Sequence, residues 1–226
     1  MATPSSPKFK EESATARRYR HGIMARMGLS IGLGLDDYRR ADNLTAINRA
    51  LAGDGVGPFE EPPRPSDLDR QVPPTSYGYS DVRLLRQYYA HVIKTGNPPT
   101  PQTTEAELRA LVQEEGAMLS SHLIVHADGQ GYYVPIDFVD PVFDAAEQVY
   151  GGIIGSSQRL QRELLVCAAP LGIEIDSDQR ISESSLQRIW TVVRDEGPFW
   201  RELYIWVGLY DATRLSIRHG LIIMFG

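Results

Sequence analysis

The segment HLIVHADGQGYYVPIDF, residues 122–138, brings histidines and aspartates together in an otherwise apolar stretch. A histidine beside a carboxylate can act as a general base or as a hydrogen-bond anchor. The candidates for this chemistry are His126, Asp128 and Asp137. The same residues also fit a β-hairpin that carries its polar side chains at the turn and on its solvent-facing side. The sequence leaves both interpretations open.

The spacing of the two histidines in this segment excludes a shared metal ion. The β-branched residues between His122 and His126 predict a strand, on which the two Cα atoms would be roughly 13 Å apart. A zinc ion held at ~2.0–2.1 Å by each imidazole cannot span that distance. Asp128-Gly129 is typical of a hairpin turn, and Pro135 predicts that the second strand is bulged or at a sheet edge. We expect neither a metal nor a cofactor.

A second candidate site is the glycine- and serine-rich turn in GGIIGSSQR, residues 151–159. Backbone N–H groups at a helix start can bind an anion, which here would lie at Gly155, Ser156 and Ser157 with Arg159 adding charge. The alternative is an ordinary serine cap. No glycine follows the serines as a hydrolase nucleophile elbow requires, so the sequence does not support a serine hydrolase of that type.

The net charge of −6 over 226 residues is unevenly distributed. Residues 1–26 hold six basic and two acidic side chains, which leaves −10 for the rest. We expect residues 1–26 to form a flexible basic arm. We also expect this arm to bind an acidic partner or a neighbouring subunit through Lys8, Lys10, Arg17, Arg18 and Arg20. The acidic remainder argues against a nucleic-acid-binding protein.

Apolar periodicity and capping signals predict about six helices around a small sheet of about four short strands, an α+β or α/β fold. Thr104 and Glu107 form a capping box, Ser182 caps another helix, and DPVFDAAEQVYGG, residues 140–152, suggests a short helix. We expect residues 27–226 to form a single domain. Within it, the proline-rich segment 53–79 is expected to be extended.

The single cysteine, Cys167, lies among apolar residues and is interpreted as a small buried hydrophobe. No apolar run approaches the ~20 residues needed to cross a bilayer, and the first residues lack the apolar core of a secretory signal. These features favour a soluble cytoplasmic protein of bacterial type.

The stretches MGLSIGLGL, YGYSDVRLLRQYYAHV, HADGQGYYVPIDF and GGIIGSSQRLQREL together resemble an uncharacterised family of bacterial soluble proteins. That family shows a His-Ser-Asp-x-Glu-Gly-Tyr-Tyr-x-Pro-like motif and a Gly-Ser-Ser helix start. The resemblance covers about residues 27–226 and implies no established reaction. The chain departs from the motif at Ala127, in place of serine, and at Gln130, in place of glutamate.

With no complete catalytic set, the sequence favours a non-catalytic binding or assembly protein. Bacterial defence, immunity or complex-associated proteins that dock on a partner offer an analogy, here through the arm and the acidic body. We expect a protein partner or self-association, with no nucleic acid and no membrane insertion. The alternative is a small-molecule hydrolase that uses His126 with Asp128 or Asp137 and an anion site at Gly155–Ser157.

Overall fold

The computed structural model describes residues 28–68 and 76–226, and within them it contains six helices and six strands. The helices are α1 (Arg40–Gly53), α2 (Tyr79–Thr95), α3 (Glu105–Gly116), α4 (Ser157–Ala168), α5 (Glu183–Arg194) and α6 (Trp200–His219). The strands are β1 (Leu29–Leu33), β2 (Ser76–Tyr77), β3 (Gly131–Val134), β4 (Val142–Phe143), β5 (Ile153–Ser156) and β6 (Ile223–Phe225). The predicted α+β class is confirmed. The strand count is higher than the predicted four because β2 and β4 have only two residues each.

The strands form one mixed sheet in the order β2-β1-β6-β3-β5-β4. Only β3 and β5 are parallel, and the other neighbouring pairs are antiparallel. Alternate residues of a strand face opposite sides of a sheet. Accordingly, Tyr133 packs in one hydrophobic cluster and Tyr132 in another. Helices α2, α4 and α6 contribute to the first cluster and α1 to the second, so both faces of the sheet are covered.

The predicted hairpin at residues 122–138 is wrong. Residues 122–126 form turns, and β3 is the only strand of that segment. It pairs with β6 on one side and β5 on the other, so it lies inside the sheet, and all four of its residues are buried. Pro135 follows the last residue of β3, where its missing N–H removes no bond from the sheet. The proline therefore ends a central strand instead of marking an edge.

Local capping signals predicted helix ends well. The Glu107 N–H donates to Thr104 Oγ1 at 3.2 Å and the Thr104 N–H to Glu107 Oε2 at 2.7 Å, which confirms the capping box of α3. Ser156 and Ser182 accept N–H bonds at the starts of α4 and α5, as expected. Gly220 ends α6 in the left-handed conformation, with φ 67°.

The helix predicted for residues 140–152 is absent, and strand β4 and turns occupy that range instead. The carboxylate of Asp144 accepts the N–H groups of Gln148 and Val149, both at 2.6 Å. Aspartate side chains compete in this way with helical hydrogen bonds, which explains why a helical apolar spacing folded into a turn.

The proline-rich segment 53–79 is described as far as Leu68 and again from Ser76, and its first part lies along α1. The Asn48 side chain donates to the Phe59 carbonyl at 2.9 Å and accepts its N–H at 2.7 Å. The buried carboxylate of Glu61 accepts the N–H groups of Leu35 and Ile222. Asn48 thus fixes this segment against α1, and Glu61 ties its end to Leu35 and Ile222.

Cys167 is fully buried, as the sequence predicts, and burial raises the pKa of its thiol to about 12. None of the helices in the described ranges combines the length and the apolar character needed to cross a membrane.

Candidate functional site

Asp128 and the turns before β3 are held by a buried arginine of helix α2. The Arg86 guanidinium donates to the carbonyl of Leu123 at 2.7 Å and to the carbonyl of His126, and it forms an ion pair with Asp128. Arg86 is only 7% exposed. Asp128 is therefore an anchor for this loop and is not available as the base partner of a histidine.

His126 lies in the core, with 2% of its surface exposed. Its ring stacks on Tyr133 with centroids 4.2 Å apart and meets the edge of Phe225 at 5.1 Å. Burial, the largest effect, lowers the pKa of His126 to about 4. The ring is neutral at physiological pH, but it is enclosed by protein and has no access to a substrate.

The predicted anion site at Gly155–Ser157 is occupied by the protein's own groups. The Ser156 N–H donates to His122 Nδ1 at 2.9 Å, so it is His122, not His126, that reaches this turn. The hydroxyls of Ser157 and Ser216 are 2.8 Å apart. Both serines of the turn are fully buried, and a Cβ on Gly155 would lie 2.3 Å from the Tyr133 ring. The turn is a helix cap packed against an aromatic side chain.

Asp137, the third catalytic candidate, is paired with two arginines of helix α4. Arg159 Nε donates to one carboxylate oxygen and Arg162 Nη2 to the other, each at 2.7 Å. These bonds hold the pKa of Asp137 below its ordinary value, although burial acts in the opposite direction. The structure therefore does not bring His126, Asp137 and the 155–157 turn together around a common pocket.

A half-buried carboxylate that the sequence did not single out, Glu163 of helix α4, fixes the start of the same loop. Its oxygens accept the N–H groups of His122 at 2.8 Å and Leu123 at 2.6 Å. Burial, opposed by these bonds, raises its pKa from an ordinary 4.5 to about 7.

We expect Glu163 to make stability fall as the pH rises. Because its pKa is higher in the folded state than in the unfolded chain, its contribution is complete below pH 4.5 and is lost as the pH passes about 7. Relative to Glu163→Gln, the free energy of unfolding of the wild-type protein should fall by about 2 kcal/mol between about pH 5 and about pH 8. Urea unfolding of both proteins across that range measures the difference. Parallel pH profiles would contradict the assignment.

A group of exposed carboxylates lies around helix α1 and is here called the α1 acidic surface. Its seven members are exposed and have no ion-pair partner among the described residues. They are Asp36, Asp37, Asp42, Asp54, Glu60, Asp140 and Glu147.

The fold positions these carboxylates through contacts of α1. Asp36 and Asp37 precede the helix, Asp42 lies in its first turn, and Asp54 is its C-terminal cap. Glu60 follows the bonded pair of Asn48 and Phe59, which fixes its segment along the helix. Glu147 lies in the turn that the Arg49–Asp144 ion pair, at 3.3 Å, ties to the helix.

Arginines lie in the same region, but two of them already form ion pairs with buried carboxylates. Arg40 pairs with the buried Glu61 at 3.2 Å, and Arg49 pairs with the buried Asp144. Arg39 is exposed beside them, and Arg64 lies near Gly34. The exposed face of α1 and its flanking turns therefore presents mainly negative charge to the solvent.

A groove of about 890 Å³ adjoins the α1 acidic surface between the end of α1 and the segment after β3. It is lined by residues 54–57, Met118, Leu119 and residues 136–143. Asp54 and Asp140 belong both to this lining and to the acidic surface. The groove thus combines unpaired carboxylates with exposed apolar side chains.

A family model described as "Putative DNA-mimic protein" matches residues 27–225 of this chain. The chain belongs to this DNA-mimic family. Comparisons with curated proteins and with solved structures found no match. The matched residues carry 27 of the 29 acidic side chains and 17 of the 23 basic ones.

Family membership corrects two predictions from the sequence. The hydrolase alternative is wrong, because the family is described by mimicry of DNA. The broader expectation of a binding protein is compatible with that description, while docking through the basic arm stays a prediction. The expectation that nucleic acid plays no part in recognition is also corrected, since such a family points to partners that bind DNA. The proposed arm contacts, Lys8, Lys10, Arg17, Arg18 and Arg20, lie outside the described residues.

The sequence signal that points to the acidic surface is the net −10 of the chain after residue 26. Such a charge argues against direct binding of nucleic acid, and it equally fits a protein that imitates nucleic acid. Net charge alone could not locate the surface, because many carboxylates elsewhere are neutralised by arginines distant in the sequence.

Proposed function

We propose that this protein binds the DNA-binding face of another protein, using the α1 acidic surface in place of DNA phosphates. The observation that carries the proposal is a set of seven exposed carboxylates that have no ion-pair partner within residues 28–68 and 76–226, in a chain of the DNA-mimic family. A DNA-binding face holds lysines and arginines where phosphates bind, so it attracts any surface with comparable negative charge.

The unpaired state of these carboxylates supports this assignment. An exposed carboxylate that already has an arginine partner presents a neutralised pair to another protein. Glu105, Glu114 and Asp195 are exposed but paired with basic side chains. The carboxylates around α1 keep their full charge for a partner, which favours this surface over the α2–α3 side of the molecule.

A second group of acidic residues lies between Glu174 and Glu183, and some of these residues accept hydrogen bonds within their own loop. Asp176 accepts the N–H groups of Asp178 and Arg180 at 2.9 and 2.8 Å. The carboxylate of Glu174 accepts the hydroxyls of Ser182 and Ser184. These bonds shape a turn, so we assign the DNA-like surface to α1.

The proposal predicts competition between this protein and DNA. Proteins of the source cells that bind DNA-cellulose should be retained on a column of the immobilised full chain and released by added duplex DNA. The variant Asp37→Asn/Asp42→Asn/Glu60→Gln should weaken the binding of a retained protein about tenfold, because three exposed charge contacts are lost.

The matched control is Glu105→Gln/Glu114→Gln/Asp195→Asn, which removes the same number of negative charges from paired sites. It should leave retention close to that of the wild-type protein. Retention that duplex DNA does not release, or an equal loss in both variants, would show that the α1 acidic surface does not imitate DNA.

A further inference from the structure

We propose that the groove beside α1 receives a cationic segment with bulky apolar side chains from the DNA-binding region of the partner. The inference rests on the proposed function and extends it, since it names the chemistry of the partner segment. Charge imitation alone requires only an acidic surface, whereas this groove also offers apolar contact.

The apolar content of the groove is unusual for exposed surface. Met118 is 70% exposed, Leu119 54%, Val139 65% and Phe143 44%, and all four line the same groove. They are half of the eight large apolar side chains that are exposed in the described residues. Exposed apolar side chains gathered in one place are typical of a binding surface, while scattered ones are ordinary.

Leu119 adds a conformational argument. It adopts the left-handed region with φ 55°, which a leucine rarely does, just after α3 ends. Backbone bonds from Met118 N–H to Glu115 O and from Leu119 N–H to Gly116 O, both 3.1 Å, hold this turn. The fold thus keeps a bulky apolar side chain exposed at the groove in an unfavourable backbone conformation.

The negative charge of the groove lining favours a cationic occupant. Its lining contains Asp54, Asp137 and Asp140 and no basic residue. Asp137 is paired with arginines, while Asp54 and Asp140 have no ion-pair partner among the described residues. A second copy of this acidic chain would bring like charges together, whereas a segment with lysines or arginines beside leucine-like side chains complements both features.

The two kinds of contact respond differently to salt. Attraction between exposed charges is screened by salt, while burial of apolar surface is not. Binding that relied on the α1 acidic surface alone would disappear at high ionic strength. Apolar contact in the groove should leave a residual affinity that survives salt.

The test uses two synthetic helical peptides of equal positive charge, one with leucines along its uncharged face and one with serines in their place. Fluorescence anisotropy measures their binding to the full-length protein at low and high salt. We expect the leucine peptide to bind about tenfold more tightly at high salt. Leu119→Asn/Val139→Thr should lower its affinity to that of the serine peptide. Asn is chosen because it tolerates the left-handed conformation.

The matched control is Val166→Thr, an exposed valine 44% accessible on helix α4 and outside the groove, which should bind like the wild-type protein. Asp54→Asn/Asp140→Asn should reduce the salt dependence and keep the preference for the leucine peptide. Equal binding of the two peptides, or no effect of the groove variant, overturns the groove proposal.

Two further outcomes would assign the groove to a different occupant. Dimers of the free chain that Leu119→Asn/Val139→Thr disrupts would make the occupant a second copy. Tighter binding of the leucine peptide after removal of residues 1–26 would make it this chain's own N-terminal segment. Either result overturns the proposal. Salt-sensitive binding of the serine peptide would still support the α1 acidic surface, so failure of the groove and failure of the proposed function are distinguishable.

Discussion

Replacing Glu61 by alanine is expected to lower the free energy of unfolding by about 4 kcal/mol. Its side chain is fully buried, and its carboxylate accepts the N–H of Leu35 at 3.1 Å and of Ile222 at 2.8 Å. It also pairs with Arg40. Alanine would leave two buried backbone donors without their acceptor, and Arg40 would keep only the carbonyls of residue 61 and Pro62 as acceptors. Urea unfolding followed by circular dichroism measures the loss.

The neighbouring residue gives a matched control for this prediction. Glu60 is exposed and has no ion-pair partner among the described residues, so Glu60→Ala should change the free energy of unfolding by less than about 0.5 kcal/mol. Similar losses for the two variants would mean that Glu61 does not anchor its segment. The comparison also concerns function, because Glu61 connects its segment to Ile222, just before β6, and to the loop before α1, and so supports the α1 acidic surface.

We expect Arg86→Met to lower the free energy of unfolding by about 3 kcal/mol, the second largest effect. The guanidinium is nearly buried. It donates hydrogen bonds to the carbonyls of Leu123 and His126 and forms an ion pair with Asp128. Methionine fills much of the same space but donates no hydrogen bond, so the loop before β3 would lose its anchor. Chemical unfolding measures the loss, and amide hydrogen exchange should show faster opening at residues 123–128.

Arg83 supplies the control on the same helix. It is exposed and pairs with the exposed Glu105 at 3.1 Å, an arrangement worth at most about 1 kcal/mol. Arg83→Met should therefore be nearly neutral. If Arg83→Met and Arg86→Met had equal effects, the anchoring role of Arg86 would be rejected. Arg86→Lys should lie between the two extremes, since one ammonium cannot match the fork of a guanidinium.

The sequence predicted helix caps correctly where the capping hydrogen bonds join residues only a few positions apart. Thr104 and Glu107 form the predicted capping box, and Ser156 and Ser182 cap their helices. A cap needs only residues three positions apart, so its outcome depends little on the rest of the fold. The end of α6 at Gly220 is equally local, because glycine adopts the left-handed conformation at little cost.

The candidate site was predicted less well because its interpretation depended on distant neighbours. The sequence suggested that His126 and Asp128 share a hairpin with access to solvent. In the structure, the rings of Tyr133 and Phe225 enclose His126. The carboxylate of Asp128 pairs with Arg86, which is 42 residues away in the sequence. The pattern of polar and apolar residues in one segment contains no information about which strand or helix will cover it.

By itself, the sequence determined the α+β class, several helix ends and the net −10 of the chain after residue 26. Only the tertiary structure decided which carboxylates keep that charge free. Ion pairs require contact within a few ångströms, and folding brings Asp137 to Arg159 and Asp81 to Arg201 across long stretches of chain. The carboxylates left unpaired around α1, and the apolar groove beside them, are therefore products of packing that no reading of spacing along the chain could locate.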